Sequence, residues 1–225
     1  MPDDPILEAQ QSRWRRTLEG AKDLPTAVGS ESLAHKQLRY QRISQVLEGA
    51  SGWAIHDVGA GLGDYYAYLL DHSGVSDLRY SGSDLTAEYC RLARERFPDI
   101  VFEHRDIRDA PNDELYDLLV LSGIFHQKGD VSNGDWHRYL WSVVDKAYTM
   151  CRRAIVFNVL STYADYYDPE LYYADLGELL GLVSRELSRF VTLHADYPLF
   201  EATVTVFRVD EVKRRYNVPE FARYL

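Results

Sequence analysis

The chain has 225 residues, 46% of them apolar and 27% charged, with a formal net charge of −10. These values fit one globular core with a modest extension, and no apolar run approaches the roughly 20 residues that a membrane-spanning helix needs. The acidic balance disfavours nucleic acid, whose phosphates are bound by clustered Lys and Arg, and Cys90 and Cys151 are too few for a disulfide framework or a zinc site.

The N-terminal stretch MPDDPILEAQ opens with acids and a broken apolar run, unlike a secretory signal, so a cytoplasmic protein is expected. Apolar residues then recur at helical spacing from Ile6 to Leu18 and from Ser30 to Leu47, with Pro25 and Gly29 as punctuation between the two helices. Ser30 and Ser32 offer N-caps for the second helix, and Gly49 with Gly52 closes it. Next come a strand at Ala54 to Val58, a helix at Tyr65 to Leu70, a strand at Leu78 to Gly82 and a helix at Ala87 to Phe97. Strands at Ile100 to Glu103 and Asp117 to Leu121, a helix at Trp136 to Met150 and a strand at Ala154 to Val159 continue the series. Short apolar runs alternating with amphipathic helices predict βαβ units and an α/β, doubly wound, Rossmann-like parallel sheet. After a helix from Leu176 to Leu187, strands Phe190 to His194 and Ala202 to Val209 read as an antiparallel hairpin turning near Pro198. Residues 1–50 are expected to form a helical extension or lid, 51–209 the cofactor-binding domain, and 210–225 a tail. The helices and the tail offer surface for a homodimer.

After the first strand the chain reads Asp57-Val58-Gly59-Ala60-Gly61-Leu62-Gly63-Asp64. The glycines follow G-x-G-x-G, and Asp64 stands where the G-x-G-x-x-G loop of pyrophosphate-binding dehydrogenases has its third glycine. A dinucleotide site sets a helix N-terminus against an anionic pyrophosphate. S-adenosylmethionine carries no phosphate, and Gly59, Ala60, Gly61 and Gly63 would let the backbone pass beneath its nucleoside and methionine parts, with Asp57 accepting from the ammonium group. The same glycines also serve a plain strand-to-helix turn. The second strand leads into Asp84-Leu85, where a carboxylate can take both ribose hydroxyls while also capping the next helix. Asp106 and Ile107 follow the third strand, as adenine contacts or as turn residues, and Ser122, Gly123 and Phe125 follow the fourth at the same edge.

As a set, Asp57 to Asp64, Ser83-Asp84, Asp106-Ile107 and Ser122-Gly123-Ile124-Phe125 resemble the class I S-adenosylmethionine-dependent methyltransferases, in particular a bacterial group of small methyltransferase-domain proteins. Val28-Gly29-Ser30, Leu38-Arg39-Tyr40, Phe157 to Tyr163, Leu171-Tyr172-Tyr173 and Asp196 to Leu199 add to the resemblance, which spans roughly residues 28–208. It implies a seven-stranded sheet whose last strand is antiparallel. The chain departs from that group at His126, where Asn is common, and lacks a Trp near Gly29.

Methyl transfer needs alignment and exclusion of water rather than a metal, and the turn after the fourth strand lacks paired hard-oxygen ligands. His126 is the first candidate base and His194 the second, each also readable as a half-buried structural histidine. Tyr163, Tyr166, Tyr167, Tyr172 and Tyr173 could line an acceptor pocket, or form a lid or subunit contact. The expected function is methyl transfer to a small-molecule substrate, with a place in specialised biosynthesis. Two alternatives stay open: intramolecular cyclisation of the cofactor with release of methylthioadenosine, and a non-catalytic cofactor-binding scaffold.

Overall fold

A computed structural model describes residues 4–21, 32–72 and 77–225. Pro25, Ser30 and the stretch Val28-Gly29-Ser30 lie outside the described residues. Helix α1 (Pro5–Glu19) begins where the Asp4 side chain accepts from Ile6 N at 3.0 Å, with a proline in its first turn where no N–H is missed. Helix α2 (Leu33–Ser44) is capped by Ser32, whose hydroxyl accepts from His35 N at 3.1 Å, and a 3-10 turn over Gln45–Leu47 follows it.

Strands and helices then alternate: β1 (Ala54–Val58), α3 (Asp64–His72), β2 (Arg79–Asp84), α4 (Ala87–Arg96), β3 (Val101–His104), β4 (Tyr116–Leu121), α5 (Asn133–Thr149) and β5 (Cys151–Ser161). The remainder holds β6 (Tyr173–Ala174), α6 (Leu176–Glu186), β7 (Val191–His194), β8 (Glu201–Phe207) and α7 (Val209–Arg215). The sheet runs β3-β2-β1-β4-β5-β8-β7, with β6 beside β5. Neighbours from β3 to β5 are parallel, and β8 is antiparallel to both β5 and β7. The fold is the expected doubly wound Rossmann-like sheet, with eight strands rather than seven. The extra strand is β6, which pairs Tyr173 and Ala174 with Leu160 and Ser161 and is too short to leave a periodic trace.

Two apolar faces account for the uninterrupted hydrophobic runs. Leu118, Val120, Ala154 and Val156 pack in one cluster with Ile43 of α2, Tyr65 of α3 and Ala93 of α4. Their neighbours Leu119, Leu121, Ile155 and Phe157 pack in the other with Trp136 and Leu140 of α5 and Val183 of α6. Side chains alternate along each strand, so a strand covered on both faces shows no alternation of polarity. Strand β5 starts earlier than its apolar run because Arg153, within the strand, pairs with Asp117 at 2.9 Å and with Glu211 at 3.1 Å. No helix among the described residues is long and apolar enough to cross a membrane. Strand order reverses beside β1, which has β2 on one side and β4 on the other, so a crevice opens past the carboxyl ends of these strands.

Candidate active site

The chain leaves β1 through Gly59, whose φ is +75°, and a Cβ there would stand 2.2 Å from Ile124 Cγ2. Backbone conformation and close approach each demand glycine. The turn is tied to the end of β2: Gly59 N and Ala60 N donate to Ser83 O at 2.8 and 3.0 Å. Gly61 N donates to Asp84 Oδ2 at 3.0 Å, and Thr86 N donates to Oδ1 at 2.8 Å. Burial pushes the Asp84 carboxyl up to about 6 in spite of these bonds. Two accepted bonds leave the carboxylate with lone pairs to spare, and Asp84 lines the cavity described next.

A cavity of about 680 Å³ lies over this turn. Gly59, Ala60 and Gly61 form its floor. Asp84, Leu85, Asp106 and Ile107 line the end past β2 and β3, whereas Ser122, Gly123 and His126 line the end past β4. At the start of α3, Asp64 accepts from Lys36 Nζ and Arg96 Nη1, each at 2.5 Å. A carboxylate thus occupies the helix N-terminus that a pyrophosphate would need.

Several predicted positions lie away from the cavity. Asp57 is 2% exposed and accepts from Tyr80 Oη at 2.5 Å, and burial pushes it up to about 7. It projects from β1 into the core shared with α3, not into the crevice. A Cβ at Gly63 would meet Phe97 and Phe102. Phe125 is buried edge-on to Phe157, and its carbonyl accepts from Trp136 Nε1 at 2.9 Å. Tyr172 Oη bonds His137 Nδ1 at 2.9 Å, and the rings of Tyr167 and Tyr173 pack on each other at 4.7 Å. Tyr163 is 82% exposed, and of that tyrosine run Tyr166 is the member lining the cavity. His194 sits on the edge strand β7 opposite Thr203, with β8 between it and β5, and does not line the cavity.

Other lining residues were not singled out from sequence. Helix α1 supplies Gln10 and Trp14, and α2 supplies Lys36, Arg39 and Tyr40. Gln10 Nε2 donates to Gln127 O at 2.9 Å, and Arg13 bonds Gln127 Oε1 at 2.5 Å and Glu170 at 3.0 Å. Asp4 pairs with Arg108 at 2.8 Å, which in turn holds Asp106 at 2.6 Å, so α1 is fastened at its N-cap and at its middle. Arg39 and Tyr40 belong to the Leu38-Arg39-Tyr40 stretch of the family resemblance, and the one local signal for Glu201 is an acid at the start of an apolar strand.

A polar chain crosses the end past β4. Arg39 clamps Glu201 through Nη2 and through Nε at 2.9 Å. Asn158 Nδ2 donates to Glu201 Oε2 at 2.7 Å and lies 3.1 Å from His126 Nε2, while Asn158 Oδ1 accepts from Gly123 N at 2.7 Å. Burial pushes His126 down to about 4, with Arg39 adding to the effect and Glu201 opposing it. For Glu201 burial acts upward, but His126, Arg39 and Asn158 outweigh it and hold the carboxyl at about 2.

Residues 55–145 match the family model described as a methyltransferase domain. The methyltransferase-family protein Rv1506c of Mycobacterium tuberculosis is 31% identical over 169 residues, covering 72% of this chain and 97% of that protein. The chain belongs to the methyltransferase family. Solved methyltransferases share its fold. The magnesium protoporphyrin IX methyltransferase of Synechocystis PCC 6803, with bound S-adenosylhomocysteine, superposes with a TM-score of 0.57 at 13% identity, over 91% of this chain and 97% of that one. The N-methyltransferase NodS of Bradyrhizobium japonicum WM9 gives 0.60 at 14% identity, over 88% and 97%. The 1,6-didemethyltoxoflavin N1-methyltransferase of Burkholderia thailandensis gives 0.60 at 15% identity, over 92% of each chain.

Proposed function

We propose that this methyltransferase binds its cofactor over the Gly59 turn and transfers the methyl group to a small molecule held at the β4 end of the same cavity. The observation that carries the reading is Asp84, a carboxylate fixed by Gly61 N and Thr86 N at the rim of β2 and facing a large cavity. The residues fit an adenosyl group. A desolvated carboxylate with unfilled lone pairs suits a pair of ribose hydroxyls, Ile107 offers an apolar wall for a purine, and Gly59 lets the backbone pass where a Cβ has no room. When bound, S-adenosylmethionine supplies a methyl group made electrophilic by its sulfonium. Helix α1 and the loop carrying Gln127 cover the cavity and keep water from the reacting atoms. Tyr166, Leu171, Leu199 and Phe200 give the acceptor half aromatic and aliphatic walls, which suit a compact organic acceptor better than a polymer. The two solved relatives named for porphyrin and toxoflavin substrates act on small molecules, which supports the same class here.

Calorimetry with S-adenosylhomocysteine tests the cofactor half. Binding is expected in the wild type, with a loss of tenfold or more in Asp84→Ala; silence in the wild type, or undiminished affinity in the variant, sinks the assignment. Incubating the enzyme with methyl-labelled cofactor and the small-molecule fraction of a cell extract tests the transfer half. Label is expected in a discrete product, and release of methylthioadenosine without any acceptor overturns transfer in favour of cyclisation.

A further inference from the structure

We infer that His126 recognises the acceptor as a hydrogen-bond donor, locked by Asn158 in its Nδ1–H form, and does not take up the acceptor's proton. This rests on the proposed transfer reading. The argument runs along a chain of fixed donors. Gly123 N can only donate, so the Asn158 atom 2.7 Å from it is the carbonyl oxygen, which settles which way the amide points. The Asn158 nitrogen is then left facing Glu201 Oε2 at 2.7 Å and His126 Nε2 at 3.1 Å, and it has only hydrogens to offer. Glu201 is held as an acceptor by the two-pronged grip of Arg39, so it confirms the amide's direction from the other side. His126 Nε2 must therefore accept, and in a neutral imidazole the hydrogen belongs to Nδ1.

The ring forms part of the cavity wall, and Nδ1 has no partner among the described residues. The nitrogen with a lone pair is thus occupied by Asn158, and the nitrogen left for a ligand carries a hydrogen. A base at this place would need the reverse arrangement. Arg39, which also lines the cavity, has both Nε and Nη2 committed to Glu201 and leaves Nη1 without a partner among the described residues, 3.4 Å from where a Gly123 Cβ would stand. Two donors near the end of β4 suit an acceptor that presents a carbonyl, carboxylate or phenolate oxygen next to the atom to be methylated. Such an acceptor brings its own reactive lone pair, and its recognition depends on a hydrogen bond to that oxygen. Asn158 acts through His126 and is a positioning residue.

The test needs no acceptor for its first arm. Nitrogen-15 spectra of the full chain with labelled histidine, assigned through His126→Asn, are expected to show one tautomer at pH 7, Nδ1 protonated and Nε2 not, and Asn158→Ala is expected to admit the second tautomer. An Nε2-protonated ring or a mixture in the wild type overturns the inference. The second arm measures labelling of the extract fraction by His126→Asn and His126→Leu, both checked for S-adenosylhomocysteine binding. Asn keeps an N–H donor near the Nδ1 position and cannot serve as a base. His126→Asn is expected to stay within about threefold of wild type, and His126→Leu to fall about tenfold or more. Equal loss in both variants, or full activity in His126→Leu, overturns the donor role. An extract in which wild type labels nothing would sink the transfer reading, while the spectrum still decides the tautomer.

Discussion

Gly59 shows how one position can be fixed by its own backbone and by a residue far along the chain. Its φ of +75° is unfavourable for any residue with a Cβ, and Ile124 fills the space that a Cβ would take. Gly59→Ala is expected to cost roughly 1–3 kcal/mol in urea denaturation and to weaken S-adenosylhomocysteine binding tenfold or more. Adding Ile124→Ala relieves the clash with Cγ2 but leaves the backbone strained, so the double variant is expected to lose less stability than the sum of the two single variants. The Ile124→Ala single variant supplies the reference, and strictly additive losses in the two single variants and the double variant would show that the steric contact contributes nothing. Asp57, in the same motif, illustrates the limit of local reading. Its place at the end of β1 is evident from sequence, but which side of the sheet its carboxylate enters depends on strand parity, and Tyr80 meets it in the core.

Among the elements, α2 and β8 carry the least legible part of the site. Each is recognisable alone, one by helical spacing and the other by an apolar run, yet Arg39 and Glu201 are joined only because α2 crosses the sheet end at β8. The pair is well buried, so removing one partner leaves an uncompensated charge. Glu201→Gln is expected to lower stability by about 3 kcal/mol, whereas the double variant Arg39→Met, Glu201→Gln should be less destabilised than Glu201→Gln alone. A shift in denaturant midpoint no smaller in the double variant would contradict the assigned pairing. The tyrosines from Tyr163 to Tyr173, readable as an acceptor pocket, a lid or a subunit contact, divide in the fold: Tyr166 lines the cavity, whereas Tyr167 and Tyr173 pack together and Tyr172 turns to His137 on α5.

At the scale of the whole molecule, buried titratable groups oppose one another. Burial holds His56 at about 3 and His126 at about 4, against an ordinary 6.5, so the unfolded chain binds more protons below 6.5 and these residues make stability fall as pH drops. Asp57 and Asp84 are pushed up to about 7 and about 6 from 3.8, so the folded chain keeps protons that the unfolded chain has lost, and stability falls as pH rises through that window. Between pH 4 and 6 the two effects run against each other. Below 4.5, the depressed carboxyls of Glu114 and Glu201 join His56, and stability is expected to drop steeply. Asp57→Asn removes one of the alkaline-going losses. Its stability relative to wild type should therefore rise from pH 4 to 7 and level off above, as read from urea melts at pH 5 and pH 8. An identical gap at both pH values would exclude a protonated Asp57 in the folded state.

The order of strands and helices, the turn at Gly59 and the position of Asp84 at the end of β2 were written in the sequence because each depends on residues close together in the chain, and the alternation of strand and helix in turn implied parallel pairing through crossovers. Turn conformation, helix caps and apolar periodicity are local matters. Tertiary structure alone decided which side chains of α1 and α2 would line the cavity, that Asp57 would face the core, and that Gly123, Asn158, His126, Glu201 and Arg39 would form one hydrogen-bonded chain. Those outcomes depend on which strands become neighbours and on which face of each meets which helix. Hydrogen bonds between residues brought together in that way leave no spacing in the sequence by which to find them.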